Sequence, residues 1–184
     1  MAQIRLLDAA TINKIAAGEV VERPVSIVKE LTENALDAGA TAVTVEIREG
    51  GIAYLRVTDN GCGIPADQVR TAFLRHSTSK ITSVEDLLTN RTLGFRGEAL
   101  ASIAAVARVE ILTKTEEALT GVRYVIEGGE EKLWEEVACP TGTTLRVENL
   151  FFNVPARRKF LRRPAAEAAS IMDYMQRLIL GHPE

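Results

Sequence analysis

Cysteine and histidine are scarce in this chain, with two of each in 184 residues. Cys62 and Cys139 lie far apart, neither belongs to a Cys-x-x-Cys pair, and no metal-ligand spacing links them to His76 or His182. Two such thiols fit a reducing, intracellular compartment. No apolar run approaches the roughly 18 residues that crossing a bilayer requires. The first ten residues lack a basic segment followed by an apolar one, so no secretory signal is expected. Positive charge is not in excess either: 22 − 25 gives −3, and the whole chain offers no electrostatic reason to seek nucleic acid. Repeats and low-complexity segments are absent. What is present is 46% apolar and 26% charged residues, an ordinary globular balance, in a length sufficient for one domain with a full core.

The periodicities predict an α+β protein. Residues 11–20 read as a short helix with Thr11 as its N-cap, following a loose N-terminal arm. A second helix covers 24–38, opened by Pro24 and closed by Gly39. Val43, Val45 and Ile47 alternate with Thr44, Glu46 and Arg48 as a half-buried strand. Gly50 and Gly51 suggest a hairpin turn into a strand over 53–58, with Asp59 at the end of that strand, on a loop. A helix is expected over 65–74. Residues 75–97, rich in Ser, Thr and charge, read as a mobile loop with a short helix near 84–88. A helix over 98–105 follows, then strands over 108–113, 121–127, 132–137 and 143–147, and two closing helices near 155–162 and 165–180. This order suggests a two-layer sandwich of a mixed, largely antiparallel sheet covered by helices, with the other face partly covered or wet. The glycine-rich segments do not follow a βαβ rhythm, which argues against a Rossmann domain.

The run from Glu30 to Ala40 carries the most information. Glu30, Asn34 and Asp37 share one helix face, beside an apolar stripe of Ile27, Val28, Leu31, Ala35 and Leu36. Glu33 is turned off that face and is expected in solvent. Taken alone, this is also the pattern of an ordinary solvent-facing helix. Two glycine-rich segments follow, Asp59-Asn60-Gly61-Cys62-Gly63-Ile64 and Gly94-Phe95-Arg96-Gly97-Glu98-Ala99-Leu100, and then a weaker Gly142-Thr143-Thr144. Each alone is compatible with a turn.

Together and in this order they resemble the nucleotide-site motifs of the GHKL ATPase superfamily, which includes gyrase-type topoisomerases, large heat-shock chaperones, histidine kinases and MutL. Longer runs make the resemblance to the N-terminal ATPase region of MutL mismatch-repair proteins the closest. These are Ile15 to Pro24, Arg75-His76-Ser77-Thr78-Ser79-Lys80-Ile81, and Phe152-Asn153-Val154-Pro155-Ala156-Arg157-Arg158-Lys159-Phe160-Leu161. The resemblance covers nearly the whole chain and implies the Bergerat fold.

The resemblance also implies roles. Asp59 takes the adenine amine, an assignment that suits an acceptor-only carboxylate, and Gly61 and Gly63 let backbone approach the base. Asn34 contributes a hard oxygen to Mg²⁺, which takes few protein ligands. Glu30, one turn earlier, is the general base. Asp37 and Ala38 complete that end of the site, Asp37 through supporting hydrogen bonds. Thr78, Ser79 and Lys80, in an ATP lid over about 75–97, and Gly94 to Leu100, where a helix N-terminus suits phosphate, contact the nucleotide. Thr143 supplies a hydroxyl donor beside the carboxylate.

By the same resemblance, residues 1–20 form an arm and short helix, and 21–184 form the ATPase domain. A second domain and a C-terminal dimerisation domain would lie outside these residues. Expected partners are ATP, a mismatch-recognition protein of the MutS type, DNA and a second copy of the full-length protein, with no membrane. The compartment would be cytoplasmic in a bacterium or nuclear in a eukaryote. Arg157, Arg158, Lys159, Arg162 and Arg163 place five positive charges in seven residues. They are candidate contacts for the DNA backbone, with a solvated helix face or a partner surface as equal alternatives. The activity implied is Mg-dependent, slow ATP hydrolysis, weak or absent in these residues alone, with nucleotide binding rather than turnover driving lid closure and dimerisation. Two alternatives remain open, a topoisomerase- or kinase-type relative and a module that binds ATP without hydrolysing it.

Overall fold

The alternation that marks residues 43–48 as a strand does produce one, β1 (Val43–Arg48). In the computed structural model, which describes residues 8–74 and 98–182, it forms one edge of a six-stranded sheet. The other strands are β2 (Tyr54–Asp59), β3 (Arg108–Lys114), β4 (Gly121–Glu127), β5 (Glu130–Val137) and β6 (Gly142–Glu148). Their order is β1-β2-β6-β3-β4-β5, and every pairing is antiparallel. The mixed sheet allowed by the sequence is therefore a purely antiparallel one among the described residues.

Strand register sorts the sheet into rows. On the inner face Ile47, Leu55, Val147, Val109 and Ile126 lie side by side, and Val45, Val57, Leu145, Ile111 and Tyr124 form the next row. The third row changes character: Val43, Asp59, Thr143, Thr113 and Val122. Three polar side chains thus interrupt an otherwise apolar face at the end of β2.

Helices cover the two apolar rows. They are α1 (Ala9–Val20), α2 (Pro24–Asp37), the single turn α3 (Val69–Ala72), α4 (Ala99–Val106) and, after the short α5 (Pro155–Phe160), which buries none of its residues, α6 (Pro164–Gly181). Ala17, Ile27, Val28, Leu31, Ile103 and Ile171 enter one core with Leu55, Ile111 and Phe151. Burying residues of this size contributes about 1.5–3 kcal/mol each. Thr32 reconciles its hydroxyl with full burial by donating to Val28 O at 2.8 Å and by pairing with Tyr174 Oη of α6 at 3.0 Å.

The outer face is a lattice of charge. Arg56 pairs with Glu46, and Glu110 sits between Arg146 (2.9 Å) and Arg123 (2.7 Å), which also reaches Glu135 (3.1 Å). Arg108 bridges Glu127 and Glu148, each at 3.6 Å. Opposite charges facing across strands favour this register, and a charged face disfavours stacking of a second sheet.

Several local expectations need correction. The N-cap of α1 is Asp8, whose carboxylate accepts from Thr11 N at 2.7 Å; Thr11 is the capped residue. The expected β1–β2 hairpin is present, and its connection contains a 3₁₀ turn, Glu49–Gly51. The reason is tertiary: a Cβ on Gly50 would stand 2.4 Å from Pro164 O, and one on Gly51 2.9 Å from Pro24 Cβ, so α6 and α2 close onto this turn. Residues 65–74 are not one helix but a 3₁₀ turn, Ala66–Gln68, followed by α3. Asp59 stands at the strand end, as expected, and is the last residue of β2. The loop and short helix expected within 75–97 fall outside the described residues.

Candidate functional site

Asp59 and Thr143 face each other across β2 and β6. The Asp59 Oδ1 atom accepts the amide of Gly61 at 2.8 Å and that of Thr143 at 3.3 Å. Burial pushes the Asp59 carboxyl above the ordinary range, and these two amides offset part of that shift by favouring the ionised form. An acceptor-only group at the rim of an apolar face is suited to a ligand N–H.

The loop after Asp59 is fastened at three points. Asn60 Oδ1 accepts the amides of Thr41 and Ala42, both at 2.9 Å, and its Nδ2 donates to Thr41 Oγ1 at 2.8 Å. The Cys62 amide donates to Ala38 O at 3.0 Å. The Ile64 amide donates to Thr113 Oγ1 at 2.8 Å. Gly63 has φ 72°, and a Cβ there would stand 2.1 Å from Lys114 O, so two separate reasons require glycine.

Ala38 is the C-cap of α2, so the Cys62 bond joins the motif helix to the Asp59 loop. Glu30 and Asn34, half-buried, stand one turn apart on α2, with Asp37 at its exposed end. Glu33 is not solvated as its helical angle suggested. Its side chain is only 14% exposed and pairs with Lys29 at 3.9 Å. The α6 helix packs along that flank and brings Tyr174 near Glu33 and Glu30. Burial, with these carboxylates behind it, pushes the Tyr174 phenol up, while its hydrogen bond with Thr32 acts the other way.

Of the glycine-rich segment at 94–100, only its end is described. Glu98 stands at the N-cap position of α4, whose Ala99 is buried and Leu100 half-buried. Thr78, Ser79, Lys80, Gly94, Phe95, Arg96 and Gly97 lie outside the described residues.

The five-residue basic cluster is divided by the fold. Arg157 turns toward α1, where its guanidinium lies so close over Gly18 that any Cβ there would overlap it, and its Nη1 points at Val21 O, 3.5 Å away. Arg162 is held by Glu167 (3.5 Å) and donates to Ser170 Oγ (2.9 Å). Arg158, Lys159 and Arg163 are exposed. An open cavity of about 330 Å³ is lined by Gly18, Glu22, Arg23, Arg157 and Phe160 and shares no residue with the Asp59 site.

Sequence reasoning passed over Asn60, Thr113 and Gly142 as functional positions. The signal for Thr113 was available: it is a hydroxyl at an inward position of a strand whose other inward residues are Val109 and Ile111.

Residues 19–148 match the family of histidine kinase-, DNA gyrase B- and HSP90-like ATPases, and the chain belongs to that family. Over its whole length it is similar to MutL proteins. It is 64% identical to the DNA mismatch repair protein MutL of Agathobacter rectalis, across 100% of this chain and 28% of that protein. It is 54% identical to the MutL of Desulforamulus reducens, across 100% of this chain and 29% of that protein. The structure superposes on the Aquifex aeolicus MutL ATPase domain complexed with ADP at a TM-score of 0.72 and 34% identity, covering 89% of this chain and 57% of that one. The chain therefore spans less than a third of the length of the curated relatives it matches. Among the described residues, no helix is long and apolar enough to cross a membrane.

Proposed function

We propose that this chain is the ATP-binding, slowly ATP-hydrolysing switch region of a MutL-type mismatch repair protein. The observation that carries the reading is the junction of two motifs through Ala38. It sets the acceptor row Asp59–Thr143 beside the end of the helix that bears Glu30 and Asn34. Asp59 takes the exocyclic amine of adenine. Glu30 accepts a proton from a water lined up on the γ-phosphate.

Asn34 presents one hard oxygen on the helix face it shares with Glu30, a sparse protein donor set that fits Mg²⁺, which draws most of its ligands from phosphate and water. Bound there, Mg²⁺ would neutralise charge on the phosphates. Asp37 supports Asn34. Thr78, Ser79 and Lys80, in the lid over about 75–97, and the Gly94–Leu100 segment at the helix start contribute contacts to the nucleotide. ATP acts as a switch because it binds the closed state more tightly than the open one. In the full-length protein, closure promotes pairing with a second copy and signals onward from a MutS-type partner. DNA is bound by the exposed charges of Arg158, Lys159 and Arg163.

Calorimetric titration with a non-hydrolysable ATP analogue and Mg²⁺, beside Asp59→Asn, tests this reading. The native chain is expected to bind, and the variant to lose about 2 kcal/mol or more, roughly thirtyfold. Equal binding by both would remove Asp59 from the adenine contact. No binding by the native chain would overturn the nucleotide reading for these residues.

A further inference from the structure

We infer that Thr113 sets the hydrogen-bonding polarity of Thr143 and thereby makes the base pocket select an amino group over a carbonyl; the inference rests on the adenine reading of Asp59.

A hydroxyl has one proton and two acceptor sites. Thr113, 1% exposed on β3, uses all three. Its proton goes to Gly142 O at 3.0 Å, an atom that can only accept. One lone pair takes the Ile64 amide at 2.8 Å. Its third contact is Thr143 Oγ1 at 3.1 Å. With the Thr113 proton already committed, Thr143 must be the donor in that pair. The only proton of the Thr143 hydroxyl therefore points into the sheet, and what remains is lone pairs. This reverses the donor role expected of Thr143 from the sequence.

The neighbouring Asp59 carboxylate is also acceptor-only when ionised. The two residues are register partners, so the row offers acceptors alone from both side chains. An exocyclic amine, with two N–H groups, matches such a row. A carbonyl oxygen in the same place meets lone pairs from both residues, and neither can rotate a proton toward it. Thr113 touches no ligand in this scheme and is a positioning residue. Its burial also removes any water that could take its place in holding the Thr143 proton.

The test compares binding of ATP with binding of inosine triphosphate, which carries a carbonyl where adenine carries its amine, to the whole chain. Thr113→Val is expected to lower the ATP-to-inosine-triphosphate affinity ratio by about tenfold, because the freed Thr143 hydroxyl can then donate to the carbonyl. Thr113→Ser is expected to keep the native ratio. A purely structural role for Thr113 would weaken both nucleotides equally, and an unchanged ratio in a folded Thr113→Val overturns the inference. Thr143→Val decides the matter independently of how Thr113→Val folds. Loss of ATP affinity with inosine triphosphate affinity retained is expected, whereas loss of inosine triphosphate affinity would make Thr143 a donor and overturn the inference. If the native chain binds neither nucleotide, the nucleotide reading itself fails, a result distinct from binding with unaltered selectivity.

Discussion

Gly61 and Ala38 touch: a Cβ added to Gly61 would stand 2.8 Å from Ala38 Cβ and 2.9 Å from Ala38 O. This contact, with the Cys62 amide on the same carbonyl, fixes where the motif helix ends relative to Asp59. The distance to Asp59 Oδ1 is also short, at 3.1 Å. Gly61→Ala is therefore expected to force the loop away from α2. The overpacking should cost about 1–3 kcal/mol in urea unfolding and weaken ATP-analogue binding by more than the stability loss alone explains. Unaltered binding would show that the Ala38 junction does not shape the pocket.

Asp59 should oppose stability at neutral pH. Its carboxyl is raised by burial, so the folded chain holds that proton more tightly than the unfolded chain does. Its contribution is then fully present below the unfolded value near 3.8 and is lost as pH rises through the folded value. Asp59→Asn, which keeps an acceptor for the Gly61 and Thr143 amides, is expected to be at least as stable as the native chain at pH 7, with the advantage fading as pH falls through the raised folded value and gone by about pH 4. Nucleotide affinity of the native chain should run the other way, falling on acidification at a pH above the ordinary carboxylate value. Denaturation and binding curves across pH 3.5–8 check both signs.

Glu30 separates turnover from binding. If it accepts the proton of the attacking water, Glu30→Gln should leave ATP-analogue binding within about threefold while phosphate release falls by about 10²–10⁴-fold. A module that only binds ATP would show no change in either.

Arg23 and Glu167 form a buried junction between the start of α2 and α6. Glu167 is fully buried; its Oε1 accepts from Arg23 Nη1 at 2.8 Å and from the Arg162 amide at 2.9 Å. Removing Arg23 leaves the buried Glu167 with only the longer Arg162 contact (3.5 Å) and the Arg162 amide, so Arg23→Ala should cost about 1–3 kcal/mol in urea unfolding. Glu167→Gln, which keeps the acceptor, should cost less. The reverse order would mean that Arg23 contributes little beyond surface charge.

The divided basic cluster predicts a divided phenotype. Replacing Arg158, Lys159 and Arg163 with Ala should leave folding intact and reduce the salt dependence of duplex DNA binding, by about 0.9 in the log–log slope for each phosphate no longer neutralised. Arg157→Ala should instead lower the melting temperature, because that guanidinium packs on α1 over Gly18. An unchanged slope in the triple variant would place DNA contacts elsewhere.

The sequence by itself determined where the strands lie, the motif helix and the family. Alternation in Val43–Arg48 and the i, i+4, i+7 spacing of Glu30, Asn34 and Asp37 are local periodicities, and local periodicity survives without knowing the neighbours. Ordered glycine motifs carried the resemblance for the same reason, since each marks a backbone need at its own position. Only tertiary structure decided the rest. The Gly50–Gly51 connection became a 3₁₀ turn because Pro164 and Pro24 press on it, and Glu33 is largely withdrawn from solvent on a helix against which α6, from near the other end of the chain, packs. Arg157 and Arg158 are neighbours in sequence, yet one packs on α1 and the other meets water. Thr113 is an unremarked hydroxyl until strand order sets β3 beside β6 and leaves it facing Thr143 and the Ile64 amide. Which way a hydroxyl proton points depends on which groups of distant strands and loops surround it, and that is fixed only when the sheet has formed.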